Sequence, residues 1–417
     1  MQAFRNKWTA LFLSNFLGVF NDNFLKNCII FIAVAWNKPT WMTQSQLISL
    51  VSASLIVPYL LLSPVAGHLA VNNSKKKIFR LFKLLEIPVL LVACIAFYLH
   101  WVMLAIFTVL VMGILSCLYS PSKYSLIRDI GGAEGVSFGS GIFEMMAFLG
   151  ILIGTVCASF VSDAYNQWIV FSVLIGLALL GYFVTTTISA TELPEKTEHS
   201  VTLNPVQFII RSFRFARQYA FVNDAVFGAS AFWLIGAMLQ MNLVIHTEHV
   251  YHASNSITGL IMATAAIGIA LGTGAAAKLS GQEVKKGLVL IGIFGMSIFI
   301  AILTFFKLNF GFYFLIVFST AFMGGLFQIP CLSMLQQANL GRKLGDMVAY
   351  LNLVTFVFVF VGTVLFSATT HICSDNSFMV FAVMLVLSLC TGLYFLLTSA
   401  DYWRATKAMF QKMNKLH

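Results

Sequence analysis

Residues 101–120 read WVMLAIFTVLVMGILSCLYS. The run contains no Asp, Glu, Lys, Arg or His, and as a helix rising 1.5 Å per residue it covers about 30 Å, the thickness of a bilayer's hydrocarbon core. Its apolar residues are continuous and do not alternate, so neither an outer-membrane strand nor an amphipathic surface helix fits. The surroundings agree. Of 417 residues 59% are hydrophobic and 10% charged, with 40 Phe, whereas a soluble domain is about one quarter charged. A cytosolic enzyme, a secreted disulfide scaffold and a disordered chain are all excluded.

Working outward, twelve such stretches occur, at roughly 9–36, 46–70, 78–98, 101–120, 136–161, 167–189, 220–245, 256–279, 287–306, 309–331, 346–370 and 377–398. Spans 3 and 4 meet at Leu99 and His100, which predicts one tight turn. The first run is long and polar in its middle, so no cleavable signal peptide is expected. With the N-terminus placed in the cytoplasm, 22 of the 25 Lys and Arg fall in inner loops and tails, Lys83 and Lys123 among them. Lys38 and Lys307 fall outside, and Lys26 lies within span 1. This asymmetry follows the positive-inside rule and assigns the net charge of +10 to a face on anionic lipid, not to nucleic acid.

The longest polar break divides the spans six and six. The expected organisation is an N-terminal half (1–189), a cytoplasmic linker (190–219), a C-terminal half (220–398) and a basic tail (399–417). The linker begins with Glu192, Glu195 and Glu198. After Pro205, Val206, Ile209, Ile210 and Phe213 recur at helical spacing, with Arg211, Arg214 and Gln218 on another face, which predicts a basic amphipathic helix at the inner interface. The halves echo each other. Tyr119-Ser120-Pro121 after span 4 corresponds to Gln328-Ile329-Pro330 after span 10, and Gly67 with Lys75–Lys77 corresponds to Gly274 with Lys285–Lys286. Parallel six-span repeats with a substrate site near the midplane are the architecture of major facilitator transporters. The Gly150/Gly154 and Gly268/Gly272 pairs read as sites of close helix packing.

Ionisable groups inside spans are costly and point to function. Asp22 lies fourteen residues past Trp8, about 21 Å along the helix, on a face with Asn15 and Gly18. Asn21 and Asn23 flank it, and Lys26 at i+4 offers an intrahelical partner. Glu144 shares a face with Ser137 and Gly141. Lys123 stands beside Tyr119 and Tyr124 as its partner or as a gate residue. Glu86, three residues past Lys83, reads as snorkelling to the interface, and Asp224 as a helix-start group. His246, His249 and His252 read as solvated loop histidines, and the seven Cys as small buried hydrophobes with no metal spacing. No P-loop and no catalytic constellation occurs, so neither enzyme activity, a cofactor nor a metal is expected.

Phe20-Asn21-Asp22-Asn23, Tyr119-Ser120-Pro121-Ser122-Lys123-Tyr124, Glu144 and Gly274-Ala275-Ala276-Ala277-Lys278-Leu279 together resemble the bacterial lysophospholipid transporter family of the major facilitator superfamily. The resemblance runs over nearly the whole chain, and Tyr-Ser-Pro-x-Lys-Tyr is its most specific part. It implies an all-α membrane protein of two six-helix halves, monomeric, in the bacterial inner membrane with both termini cytoplasmic. It further implies flipping of lysophospholipid, typically lysophosphatidylethanolamine, from the outer to the inner leaflet. An acyltransferase and acyl-carrier-protein synthetase system would reacylate the product there. The expected substrate-binding residues are Asp22, Asn23, Lys26, Lys123, Glu144, Gln240 and Asn352. Two departures stand out. Gly67-His68-Leu69-Ala70-Val71 lacks the loop Asp usual in the superfamily, and Gln240, followed by Asn242, stands where a basic residue is usual. No acyltransferase domain is expected after span 12. The competing reading is an ion-coupled exporter of amphipathic drugs or metabolites.

Overall fold

A computed structural model of the protein describes residues 2–32, 36, 44–163, 166–192, 202–253, 255–281, 283–373 and 376–414. Lys38, Glu195, Lys196, Glu198 and Lys415 lie outside the described residues. Every described element is helical: α1 (Gln2–Ile32), α2 (Gln44–Asn72), α3 (Lys75–Tyr98), α4 (Val102–Asp163), α5 (Gln167–Thr186), α6 (Pro205–Ala216), α7 (Val222–Tyr251), α8 (Asn255–Ser280), α9 (Gly287–Phe305), α10 (Phe310–Gln337), α11 (Leu344–Ile372), α12 (Ser377–Thr398) and α13 (Ala400–Asn414). Among the described residues, ten helices are long and apolar enough to cross a membrane, counting α4 once.

α4 carries two of the expected spans in 62 residues, bent at Gly132, whose φ of 64° and ψ of −170° suit only glycine. The turn between α3 and α4 is also tight. His100 takes the left-handed conformation, and the Trp101 amide donates to the Ala96 carbonyl at 2.9 Å, closing the last turn of α3.

The chain forms two compact units. The first comprises Met1–Gly132, Met146–Phe215 and Asn339–Leu353, and the second Ala133–Met145, Ala216–Ala338 and Val354–His417. α4 and α11 therefore each contribute to both.

In the first unit α5 packs on α1 and α3. Gly150 and Gly154 let α4 approach α1 so closely that a Cβ would stand 2.9 Å from the Phe16 carbonyl and 2.6 Å from that of Phe20. The start of α3 is held by the linker acid Glu192. Its carboxylate accepts from the Lys75 amide at 2.7 Å, the Lys76 amide at 3.1 Å and the Ser74 hydroxyl at 2.9 Å, an anion at a helix N-terminus. Lys75 pairs with Asp129 at 2.6 Å, and Lys76 and Arg80 donate to the carbonyls of Ala190 and Thr186. Part of the basic cluster therefore braces the protein itself in addition to any lipid contact.

The end of α2 meets the start of α11. Arg342 donates through Nε to the Val71 carbonyl at 2.8 Å and through Nη2 to that of Asn73 at 3.1 Å. A Cβ on Gly67 would stand 2.8 Å from Asp346 Oδ1. The bend at Gly67–Val71, which lacks the loop Asp, is thus bonded through the carbonyls of Val71 and Asn73. α6 forms where the spacing places it. Its Phe208 and Ser212 are buried against the first unit and Lys343 lies 4.4 Å from the Phe215 ring, while Val206, Ile210 and Phe213 stay exposed.

In the second unit α10 packs on α7, α8 and α9, and α12 on α7 and α9. Asp224 is a structural acceptor at the start of α7. Tyr394 and Tyr402 each donate a hydroxyl to one of its oxygens at 2.9 Å, tying α7 to α12 and α13. Tyr402 is fully buried, and a hydrogen bond to a carboxylate contributes about 1.5–3 kcal/mol. Tyr402→Phe should lower stability by about 2 kcal/mol, read as a lower melting temperature of the detergent-purified protein. An unchanged melting temperature would exclude this tie.

Candidate functional site: a buried charge cluster

α1 presents Asn15, Gly18 and Asp22 on one face, spaced i, i+3 and i+7. In the first unit this face meets two charged side chains of α3 and a polar stripe of α4. Asp22 Oδ2 accepts from the Ser116 hydroxyl at 3.2 Å, while its Oδ1 is buried with no hydrogen-bond partner. Lys123 donates to Asn15 Oδ1 at 3.0 Å, and its ammonium lies 5.5 Å from the Tyr119 ring and 5.6 Å from that of Tyr124. Glu86 and Lys83 of α3 and Lys123 of α4 bear on Asp22 electrostatically.

Lys83 and Glu86 correct the reading from sequence. Lys83 is no loop cation and Glu86 does not snorkel. The two form an ion pair at 2.7 Å, with both side chains only 2% exposed, and Lys83 Nζ also reaches Glu86 Oε1 at 2.8 Å. α3 begins at Lys75, so Lys83 stands about 12 Å along it. From there its stem turns toward α1, with Nζ against Gly18, in place of extending to the interface. The i, i+3 spacing of the pair and the glycine on the facing helix were the sequence signals available. With all four groups ionised, the two lysines and two carboxylates sum to zero, the condition under which buried charge is tolerable.

Lys26 is half-buried. Its charge bears on Asp22, but Asp22–Lys26 is not among the ion pairs of the described residues. Asn23 donates back to the Val19 carbonyl at 2.8 Å. Asn21 donates to the Leu174 carbonyl and Asn27 to the Thr155 hydroxyl, so both tie α1 to its neighbours. Asn352, in the part of α11 that belongs to the first unit, donates to the buried Ser120 hydroxyl at 3.0 Å.

The remaining expected residues belong to the second unit. Glu144 is 3% exposed, on the stretch of α4 where Gly141 meets Thr273 and Ala277 of α8 and Met145 meets Gly274. Gln240 is exposed on α7. Asn242 faces inward and donates to the Ser377 carbonyl at 3.0 Å, which makes it an anchor for α12. His246 is likewise no loop histidine. It is 3% exposed, 2.8 Å from the Ser377 hydroxyl, with Tyr251, Tyr313, Phe378 and Phe381 around its ring. His249 and His252 are exposed. No group of metal-ligating side chains occurs among the described residues.

Among the described residues, ten helices long and apolar enough to cross a membrane, glycine-mediated packing and a buried charge cluster define a multi-pass membrane transporter. The chain belongs to the Major Facilitator Superfamily, whose family profile matches residues 11–363. It is similar to the lysophospholipid transporter LplT of Pectobacterium carotovorum subsp. carotovorum (strain PC1), with 26% identity over 355 residues, 82% of each chain. LplT of Shigella flexneri serotype 5b (strain 8401) is 27% identical over 354 residues, 82% of this chain and 84% of the relative. In fold it is similar to the human organic anion transporter MFSD10 (TETRAN), with a TM-score of 0.73, 14% identity and coverage of 94% and 99%. The transporter FucP in its outward conformation gives a TM-score of 0.71 at 13% identity, covering 93% and 98%.

Removing one partner of a buried ion pair strands the other charge at a cost of roughly 3–5 kcal/mol, whereas replacing both is far milder. Glu86→Gln or Lys83→Met alone should therefore sharply reduce the yield and melting temperature of folded protein. The double variant Lys83→Met/Glu86→Gln should recover most of both. Additive losses would show that the pair does not act as a unit.

Proposed function

We propose that the protein is a secondary transporter that flips lysophospholipid, lysophosphatidylethanolamine foremost, from the outer to the inner leaflet of the bacterial cytoplasmic membrane by alternating access. Its two six-helix halves rock about the substrate, and both termini lie in the cytoplasm. The observation that carries the reading is the buried Oδ1 of Asp22, which accepts no hydrogen bond although its carboxylate sits among Lys83, Lys123 and Glu86. The similarity to LplT over four-fifths of both chains supports the substrate class.

The physics suits a single-chain lipid. Moving its head across hydrocarbon unaided is expensive, whereas its tail is at home there. A polar path for the head, open sideways to lipid for the tail, removes the larger barrier. An ammonium head needs an acceptor, and Asp22 holds one in reserve. Asn23, Lys26, Lys123, Glu144, Gln240 and Asn352 are the further residues proposed to meet the head. Lys123 offers its phosphate a cation, and Gln240 a neutral donor in place of a basic residue. Consumption of the product by an inner-side acyltransferase system would pull the transport forward.

Asp22→Asn keeps the side-chain volume and removes the charge. In proteoliposomes supplied with labelled lysophosphatidylethanolamine it should reduce uptake by at least tenfold, about 1.4 kcal/mol, at unchanged expression. Full transport by the variant would remove Asp22 from the mechanism. Ion-coupled efflux of a soluble amphiphile by a wild-type protein that moves no lysolipid would make it an exporter instead. A Cys placed at Lys76 should resist impermeant thiol reagents in intact cells, and its labelling from outside would invert the topology.

A further inference from the structure

The charge of Lys83 bears on two carboxylates, but its ammonium bonds only one of them. Its ammonium is bonded to both oxygens of Glu86, at 2.8 and 2.7 Å, while Asp22 Oδ1, also buried, accepts nothing. The Tyr119 ring lies 5.2 Å from the ammonium, and the space the ammonium occupies is left by α1. A Cβ at Gly18 would stand 2.6 Å from Lys83 Nζ and 3.4 Å from its Cε. The ammonium therefore rests in the notch that the missing side chain leaves. Gly18 and Asp22 are one turn apart on the same face of α1, so the notch and the vacant acceptor are neighbours. The other cation facing Asp22 from α4, Lys123, is held by Asn15 and by the faces of Tyr119 and Tyr124. Lys26, on α1 itself, forms no ion pair with Asp22 among the described residues.

The geometry points to Gly18 as a specificity-determining position: it parks the Lys83 ammonium on Glu86 and so keeps Asp22 open to the ammonium group of an incoming ligand. Lys83 is a tethered cation. If it leaned toward Asp22 it would neutralise that carboxylate from within, and the site would no longer distinguish a head that carries an amine from one that does not. A methyl group at position 18 removes the parking place. The displaced ammonium then has Asp22 Oδ1 as a buried acceptor one helical turn away, and burial makes an unmet acceptor a strong attractor. Specificity obtained by excluding an internal competitor in this way requires no additional contact to the ligand.

The test needs no lysolipid in its first arm. Melting temperatures of the full-length, detergent-purified protein are measured for Gly18→Ala, Asp22→Asn and the two combined. If Lys83 moves to Asp22 once the notch is filled, Asp22→Asn should lower the melting temperature several degrees more in the Gly18→Ala background than in wild type. That excess should vanish when both variants are built on Lys83→Met/Glu86→Gln. Additive shifts, or an excess that persists without Lys83, would overturn the proposal. Should Gly18→Ala reduce the folded yield, rescue by Lys83→Met/Glu86→Gln supports the notch and failure to rescue overturns it.

The second arm rests on the proposed lysophospholipid function. Binding of lysophosphatidylethanolamine and of lysophosphatidylglycerol with the same acyl chain is compared. Wild type should favour the amine-bearing head, and Gly18→Ala should reduce that preference about tenfold, or 1.4 kcal/mol. An unchanged ratio would overturn the role in selectivity. If wild type binds neither lipid, the functional reading fails while the melting-temperature cycle still decides whether Gly18 parks Lys83.

Discussion

A charge in hydrocarbon has no water to fall back on, and the arrangement of the first unit follows from that constraint. Lys83 and Glu86 satisfy each other at 2.7 Å with almost no exposure. Their pairing leaves Asp22 on α1 with no ion pair of its own among the described residues. Gly18 must then be small, Tyr119 must present its face to two ammonium groups, and Asn15 must turn its oxygen toward Lys123. Each of these residues is explicable once the four charges are treated as one neutral body and hard to explain singly.

The same economy governs the packing of the helices. In a bilayer little is gained by covering one apolar surface with another, so association relies on close backbone approach and on polar ties. Gly150 and Gly154 bring α4 against the carbonyls of α1, and Gly268 and Gly272 bring α8 against those of α10. The polar ties are single and well placed: Asn21 to α5, Asn27 to α4, Asn242 to α12, and Ser297 to Ser388 between α9 and α12. They hold a helix at one point and leave its remaining surface apolar.

How much of this was legible depended on whether the signal lay along one helix or between two. Run length and the absence of alternation located the membrane spans, and the tight turn at His100 and the helix after Pro205 followed from local pattern. Even Gly132, where two spans join, sits in the polar interval expected between them. Partnership is another matter. Helical spacing places Lys26 one turn from Asp22, yet Asp22 receives its hydrogen bond from Ser116 on α4. The positive-inside count assigned Lys83 to a loop because charge is counted without regard to direction, whereas its stem points into the unit. His246 looked like part of a solvated cluster, although three of the four rings around it, those of Tyr313, Phe378 and Phe381, come from α10 and α12, more than sixty residues away. Three-dimensional neighbours of that kind leave no trace in a local window.

The joint at the end of α2 has a consequence for how this chain tolerates change. Arg342 is bonded to the carbonyls of Val71 and Asn73, and a carbonyl is supplied by every amino acid. Substitution of Val71 or Asn73 alters a side chain without removing an acceptor, whereas Gly67 is confined by Asp346. A joint between two carboxylate-and-arginine partners can be broken from either side. Here both hydrogen bonds are lost by replacing Arg342, whereas replacing Val71 or Asn73 leaves their carbonyls in place, so the vulnerability of this bonding is concentrated on the arginine side.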